Sequence, residues 1–552
     1  MADRPKMWDK YDHWFDGVDE WVGGPAAQGA SSCVAKLGGW KRKSLKQFDM
    51  NSPAYQSMVF FHSFVRRVFF DTADNCGQPG EQEALLRRYA IPLAPLKENG
   101  RRLMFEARDT RNRSASIEVT DLELTVFANG IGILAIGVEA SHIDIPDALW
   151  INETMRKVYP SSGRQMREGR TPNYMALTLV SGDERTVILE DKFEQCVLKG
   201  YLPPLTKIIT GLLYFADYNN QDFEPVLDER MIVYTYMSVD PQSVPENFDQ
   251  SEDYEILMSR FLYVDRWADN YRYEAEFTRE EMRKNVYRRW AHQGTLYGFT
   301  SYSNVTLVMG QFDCDEHQLS EGFLVHRMFA SRYYLMVIVA LFYRATLLDF
   351  SERTALVSRA LFRKFTRVRI EEDDIRLATK LMADFQFFSN YWYFSELANK
   401  DEEIEHFQMQ CDSYRLERMK NEVEQEVDKL GNLLERSFQL RNTEAVNRLA
   451  MLSMILGGGA VITGFFGMNF GRRFDELFFN PTTNPTLHYL AIAAVSAIVI
   501  ASLGFATYLV LAGWKDYRSI LLPAWRHKQL GAASLRRTLD YVPIEDDSDS
   551  GR

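Results

Sequence analysis

Cysteine is scarce in this 552-residue chain, which holds only five cysteines. They are widely separated, and no two of them form a Cys-x-x-Cys pair. A disulfide framework and a zinc ribbon both need closely spaced cysteines, so neither is expected. We therefore expect the bulk of the chain to fold in a reducing compartment. The five are Cys33, Cys76, Cys196, Cys314 and Cys411.

Catalytic motifs and an excess of basic residues are also missing. The sequence has no Walker A, His-Glu-x-x-His, Gly-x-Ser-x-Gly or protein-kinase pattern, and its nine histidines show no paired metal-ligand spacing. After Gly130-Ile131-Gly132, the third glycine of a dinucleotide fingerprint falls at the wrong spacing. The formal net charge is −12, whereas a nucleic-acid binder needs a clustered basic face. We predict that the chain is not an enzyme and does not bind nucleic acid.

Long uncharged runs occur at two places, residues 449–471 and 487–514. Each exceeds the ~20 apolar residues that cross the hydrocarbon core of a bilayer. Residues 333–343 are also apolar but form a shorter run, which predicts a buried helix instead. Two spans place both chain ends on one side, and arginines and lysines flank the inner ends of the runs. We expect an integral protein of the plasma or inner membrane with cytoplasmic N- and C-termini.

The order of sequence patterns predicts an α/β cytoplasmic domain, then long stalk helices, then two C-terminal transmembrane helices. Asn129-Gly130 separates two strand-like segments and predicts a type I′ hairpin turn. Proline is absent between Pro245 and Pro481, which permits long helices. The predicted division is 1–318 for the α/β domain, 319–448 for the helical bundle and stalk, 449–471 for the first span, 472–486 for the outer loop, 487–514 for the second span and 515–552 for a basic, then acidic tail.

A narrow apolar seam runs through the densely charged segment 404–440. Its members recur at steps of three or four residues, which places them on one helical face. The seam is equally compatible with a stalk that continues into the first span and with a two-helix hairpin packed on its own domain. The seam consists of Leu416, Met419, Val423, Val427, Leu430, Leu434 and Phe438.

The tripeptide Gly467-Met468-Asn469 stands between two phenylalanines at the outer end of the first predicted span. Gly457, Gly464 and Gly471 recur at seven-residue spacing, which is typical of a face that permits close helix approach. The tripeptide, its large preceding domain, its long helix, its short outer loop and its terminal second span together resemble the CorA family of magnesium transporters. The resemblance is strongest over residues 441–514.

The resemblance implies a CorA-like homopentamer in the lipid membrane, with a pore lined by the first span of each copy. Gly467, Met468 and Asn469 are then the selectivity residues, and the Asn469 amide and the Gly467 carbonyl of each copy contact a hydrated divalent cation. Mg²⁺ dehydrates reluctantly, and neutral oxygens can bind its water shell without trapping the ion. The other pore-lining residues implied are Asn442 and Thr443 at the inner mouth, Leu449 and Met454 at a hydrophobic constriction, and Gly457 and Gly464 further along the span.

The resemblance also implies that Mg²⁺ is the transported ion and a regulatory ion of the cytoplasmic domain. The densest acidic run is Glu371-Glu372-Asp373-Asp374, which makes these four residues the candidates for a regulatory metal site. A solvated helix start, where carboxylates favour the positive end of the helix dipole, explains the same run.

Two features depart from the family pattern. Gly457-Gly458-Gly459 stands where the family has a proline-containing stretch, and Arg472-Arg473 offset the acids of an outer loop that is usually acidic. Three functions are therefore compatible with the sequence. They are a Mg²⁺ channel gated by its cytoplasmic domain, a transporter of another divalent cation such as Zn²⁺, Ni²⁺ or Co²⁺, and a ligand-gated membrane effector built on the same pore. A membrane-anchored scaffold without conduction is the minimal alternative.

Overall fold

The computed structural model of the chain divides into two compact units, Met1–Leu434 and Glu435–Arg552. An α/β region precedes long helices, as the sequence predicts. The structure describes residues 33–43, 58–69, 85–157, 171–192, 205–216, 223–226, 230–267, 273–310, 324–365, 372–467 and 485–512.

A seven-stranded antiparallel sheet forms the first part of the Met1–Leu434 unit. Its strand order is β1-β2-β4-β3-β6-β7, and β5 pairs with the long strand β4. The alternation of apolar and polar residues places one face of this sheet on a core of aliphatic and aromatic side chains. The strands are β1 (Lys41–Lys43), β2 (Leu86–Ala90), β3 (Arg101–Asp109), β4 (Ser114–Phe127), β5 (Gly132–Glu139), β6 (Pro172–Ser181) and β7 (Glu184–Lys192).

The hairpin between β4 and β5 lies where the sequence predicts it, but its turn type differs. Gly130 has a left-handed backbone with φ 87°, whereas Asn129 is not among the residues with positive φ. A type I′ turn needs positive φ at both central residues, so this part of the prediction is wrong. The amide of Gly130 donates to the Phe127 carbonyl at 2.9 Å, and the amide of Phe127 donates to the Ile131 carbonyl at 2.8 Å. These bonds define a three-residue loop with one left-handed glycine.

A four-stranded sheet follows, with strand order β8-β11-β10-β9. The strands β8 and β11 are parallel, and the other pairs are antiparallel. Its core includes the helix Glu252–Tyr263, which buries Leu257, Phe261 and Leu262. The strands are β8 (Val233–Val239), β9 (Val286–Tyr287), β10 (Leu296–Phe299) and β11 (Ser303–Met309).

Twelve α-helices are named among the described residues, and the last six follow both sheets. One π-helical turn, Phe329–Tyr333, lies directly between two consecutive helices, and another, Phe388–Trp392, directly follows a third. The helices are α1 (Ser63–Phe69), α2 (Ala94–Glu98), α3 (Ile145–Met155), α4 (Lys207–Leu212), α5 (Glu252–Tyr263), α6 (Ala275–Asn285), α7 (Leu324–Met328), α8 (Tyr334–Phe365), α9 (Glu372–Phe387), α10 (Asp401–Tyr414), α11 (Leu416–Gly467) and α12 (Pro485–Ala512).

The helical segment Val325–Leu361, most of which is α8, is the most apolar part of the Met1–Leu434 unit. Among the described residues it alone is long and apolar enough to cross a membrane, with a mean hydropathy of 1.5. However, 72% of its apolar stretch is buried inside the protein. Val339, Ala340 and Phe342 are completely buried. The prediction of a buried helix at residues 333–343 is therefore confirmed.

Gly294, just before β10, tests how closely this part of the chain packs on Met309 of β11. Gly294 has φ 72°, and a Cβ added there would lie 2.7 Å from Cβ of Met309. Because Gly294→Ala adds both a left-handed non-glycine residue and a steric clash, we expect it to lower the free energy of unfolding by about 2–4 kcal/mol. Gly182→Ala is the matched control, since Gly182 has φ 57° and no described atom within 4 Å of an added Cβ. It should cost only about 1–2 kcal/mol. Equal losses in denaturant unfolding of the two variants would contradict the packing.

Candidate functional site

The 52-residue helix α11 carries most of the predicted pore residues. At 1.5 Å per residue it is about 78 Å long. Its apolar seam is buried from Leu416 to Leu434 in a core shared with α8, α9 and α10. Gly431 lies against Met382 of α9, where an added Cβ would be 2.9 Å from the Met382 Cε. The seam therefore packs on the Met1–Leu434 unit, and the same helix continues to Gly467.

The buried part of the seam ends at Leu434. Phe438, the last residue of the predicted seam, is half exposed. From there onwards large aliphatic side chains of α11 are uncovered, and Leu449 is 66% exposed. The same holds for α12, where Leu490 is 70% exposed. Large exposed apolar surface is unfavourable in water and marks contact with lipid or with other protein chains.

The predicted inner-mouth residues are both exposed on α11. The hydroxyl of Thr443 donates to the carbonyl of Gln439 at 2.8 Å, one turn earlier on the same helix. Asn442 and Leu449 expose their side chains. Met454 also belongs to α11, but its side chain lies outside the described residues.

The glycines of the span leave an open surface. No described atom lies within 4 Å of a Cβ built on Gly457 or Gly464. At 100° per residue, the predicted pore residues from Asn442 to Gly467 fall within an arc of about 140° on an ideal helix. On an ideal helix, one side of α11 thus carries the residues predicted for the inner mouth and for the constriction, together with the glycines.

The structure describes only the first residue of the predicted selectivity motif Gly467-Met468-Asn469. Gly467 ends α11, while Met468 and Asn469 lie outside the described residues, as does the loop up to residue 484. The roles of all three residues in ion selection stay predictions.

The acidic run Glu371-Glu372-Asp373-Asp374 coincides with the start of α9 at Glu372. Glu371 and the side chain of Glu372 lie outside the described residues, Asp373 is exposed and Asp374 is half-buried. Among the residues that the structure describes, no group of three His, Cys, Asp or Glu side chains is arranged to hold a metal ion. The regulatory-metal role of these four residues stays a prediction.

A buried polar cluster on α10 is absent from the sequence-based candidates. Glu403 is 2% exposed and His406 is 4% exposed, although their segment reads as a charged helix start. A guanidinium nitrogen of Arg332 lies 2.9 Å from a carboxylate oxygen of Glu403. Burial raises the pKa of Glu403, and the charge of Arg332 opposes this shift. The sequence feature that could have indicated this cluster is a helical spacing that places five residues on one face of α10, whatever their polarity. These buried residues are Glu403, His406, Phe407, Gln410 and Tyr414.

Comparison with known proteins identifies one family. Residues 385–511 match the family model described as CorA-like Mg²⁺ transporter protein. The matched stretch begins near the end of α9 and contains α10, α11 and nearly all of α12. No curated protein and no solved structure matches the chain. The resemblance to the CorA family is therefore confirmed over residues 385–511.

Proposed function

From the CorA family match over residues 385–511, we propose that the chain is a subunit of a membrane-embedded divalent cation channel that conducts Mg²⁺. The observation that carries this proposal is the match together with Gly467-Met468-Asn469 at the end of α11. The family match supports ion transport, and the tripeptide supports the choice of ion.

The proposed ion site is a ring of Asn469 amides and Gly467 carbonyls from several copies. Mg²⁺ keeps its water shell in preference to most protein ligands. Neutral oxygens arranged around the pore axis accept hydrogen bonds from that shell, and they release the ion more readily than carboxylates would. Met468 supports the turn between the two ring-forming residues.

The proposed assembly is a homopentamer in the plasma or inner membrane. Two helices cannot enclose a water-filled path, so several copies must surround it. The uncovered leucines of α11 and α12 supply the surface for lipid and for neighbouring copies. Arg441 and Arg448 before the first span, and Lys515 and Arg518 after the second, favour cytoplasmic termini.

The proposed gate is the hydrophobic constriction at Leu449 and Met454. A ring of large apolar side chains blocks ions by expelling water from the pore, and a small outward movement rewets it. Because α11 begins in the buried core at Leu416, its position depends on the packing of the cytoplasmic unit.

A second candidate function is transport of another divalent cation. Arg472 and Arg473 place positive charge beside Asp475 and Glu476 in the outer loop, which weakens attraction of cations to the mouth. Zn²⁺, Ni²⁺ and Co²⁺ accept nitrogen ligands more readily than Mg²⁺ does. A third candidate, an effector gated by a ligand of the cytoplasmic domain, is favoured by the residues before 385, which lie outside the family match.

Ion flux into liposomes that contain the purified full chain tests the proposal. We expect Mg²⁺ uptake that is driven by an inside-negative potential and competed weakly by Zn²⁺, Ni²⁺ and Co²⁺. Protein-free liposomes are the control. Uptake of Zn²⁺, Ni²⁺ or Co²⁺ without Mg²⁺ uptake would favour the second candidate. Absence of flux for all four ions in a correctly inserted protein would contradict the proposal.

A further inference from the structure

His406 lies at the centre of an aromatic cluster on the buried face of α10. Four rings surround its imidazole, and their centroids lie 4.4–5.5 Å from its own. They come from β9, β10 and the π-helical turn that precedes α8. The rings belong to Tyr287, Tyr297, Phe299 and Tyr333.

The polar atoms of this cluster are incompletely bonded. Within the described part of the chain, neither Nε2 of His406 nor the hydroxyl of Tyr297 has a hydrogen-bond partner. Both side chains line a small cavity between α8, α10 and the four-stranded sheet. The cavity leaves about 10 Å³ for the centre of a water-sized sphere, which is the space of about one water molecule. Two other lining residues bond each other, since the Asn304 amide donates to the Gln410 carbonyl oxygen at 2.8 Å.

The charged groups around His406 disfavour a proton on its ring. The charge of Arg332 acts on the ring, and a guanidinium nitrogen of Arg332 lies 2.9 Å from a carboxylate oxygen of Glu403. The Tyr333 hydroxyl donates to Glu402 at 3.0 Å, and the Tyr287 hydroxyl donates to Glu405. Lys400 adds a further positive charge near Glu403. Burial, and next the charge of Arg332, lower the pKa of His406 to about 3.

We propose that His406 is a proton-sensitive latch, which holds α10 closed against α8 and the four-stranded sheet while its imidazole is neutral. The closed arrangement has space for about one water, and within the described residues no carboxylate oxygen bonds Nε2 of the ring. One oxygen of Glu403 pairs with Arg332, and the other has no hydrogen-bond partner there. A protonated imidazole is therefore stable only after α10 has moved away and water reaches it.

The direction of the pH effect follows from the two protonation equilibria. In the opened state His406 takes its ordinary pKa of about 6.5. The closed state binds the proton far more weakly, so the stability of the closed state is complete above pH 6.5 and is lost as the pH falls from 6.5 towards 3. Between pH 7.5 and 5.5 the opening equilibrium rises by about tenfold.

Glu403 acts in the opposite direction at lower pH. Burial raises its pKa, so the closed state binds a proton on Glu403 more tightly than the opened state does. Its protonation therefore favours closure as the pH falls through that raised pKa. Burial also raises the pKa values of Tyr297 and Tyr333, which stay neutral in this range. The effect of His406 is expected to dominate in the upper part of its range, just below pH 6.5.

The latch lies immediately before the proposed pore helix. Arg415 alone separates α10 from α11, and it has a left-handed backbone with φ 56°. Opening of α10 would therefore release the first turns of α11. Any consequence for conduction rests on the proposed function, whereas the opening itself does not.

Hydrogen exchange of the full chain in detergent, at pH 7.5 and pH 5.5, tests the latch. After correction for the intrinsic pH dependence of exchange, we expect the opening of α10 amides to increase by about tenfold at pH 5.5. Amides of α5 that exchange through local openings away from His406 are the internal reference and should not change. His406→Gln should abolish the pH dependence, while His292→Gln, at an exposed histidine, should keep it.

Two results would overturn the latch. One is equal protection of α10 at both pH values in the unsubstituted protein, a measurement that does not depend on how a variant folds. The other is a tenfold increase that persists in a folded His406→Gln protein. Neither result bears on ion flux, so failure of the latch is distinguishable from failure of the proposed channel.

Discussion

Asn469→Ala is expected to lower Mg²⁺ flux through the reconstituted protein by about a thousandfold. The substitution removes one amide hydrogen bond to the hydrated ion from each copy, and each such bond contributes about 1 kcal/mol. In the proposed pentamer five bonds are lost together, which amounts to about 5 kcal/mol. Since 1.4 kcal/mol corresponds to a factor of ten, the ring would hold the ion over a thousandfold more weakly.

The measurement is initial Mg²⁺ uptake at low external concentration, with equal amounts of inserted protein. Asn447→Ala is the matched control, because Asn447 is an exposed asparagine of α11 outside the predicted pore residues. It should leave uptake unchanged. Wild-type uptake in the Asn469→Ala protein would exclude the proposed ring, even if the chain conducts Mg²⁺ by another route.

Glu403→Leu is expected to lower the free energy of unfolding by about 3–5 kcal/mol. The variant leaves the guanidinium of Arg332 buried without its carboxylate, which is the most costly way to break a buried ion pair. The aromatic ring of Phe60, with its centroid 3.9 Å from the guanidinium carbon, compensates only in part. The denaturant midpoint of the full chain in detergent measures the loss.

A double substitution separates the lost charge pair from lost packing. Arg332→Met combined with Glu403→Leu removes both charges and should recover most of the stability, because a packed apolar pair can replace a buried ion pair at little cost. Glu422→Gln is the surface control. It breaks the exposed pair between Arg418 and Glu422 and should leave the free energy of unfolding nearly unchanged, because solvent screens that pair. An equally small change for Glu403→Leu would contradict the burial of the pair between Arg332 and Glu403.

The sequence predicts those elements whose signals are local. The β4–β5 hairpin, the buried segment of α8 and most of the α11 seam all follow from spacing, turn residues or apolar content within a short window. The parallel pairing of β8 with β11 joins residues about seventy positions apart, and no local pattern specifies it. The burial of His406 likewise depends on rings from β9, β10 and the π-helical turn, which only the tertiary fold brings to α10.

The exposed half of α11 can be predicted without the tertiary fold. Its leucines and glycines form an apolar run in the sequence and are exposed in the single chain, so composition alone identifies them. The family match then connects that composition to ion transport. The proposed selectivity roles of Met468 and Asn469 depend on the motif and its family resemblance alone, because the described residues stop at Gly467 before the loop.

The core that joins α1 to the start of α11 has a consequence for synthesis on the ribosome. Phe61 and Phe69 share this core with Leu430 and Leu434. At 5–20 residues per second, α1 waits roughly 20–70 s before its last partners are translated. During that interval the apolar helix α8 is made without its full cover, and the uncharged run at 449 follows soon after Leu434. We therefore expect α8 to be the part of the nascent chain most prone to association until the residues up to Leu434 have been translated.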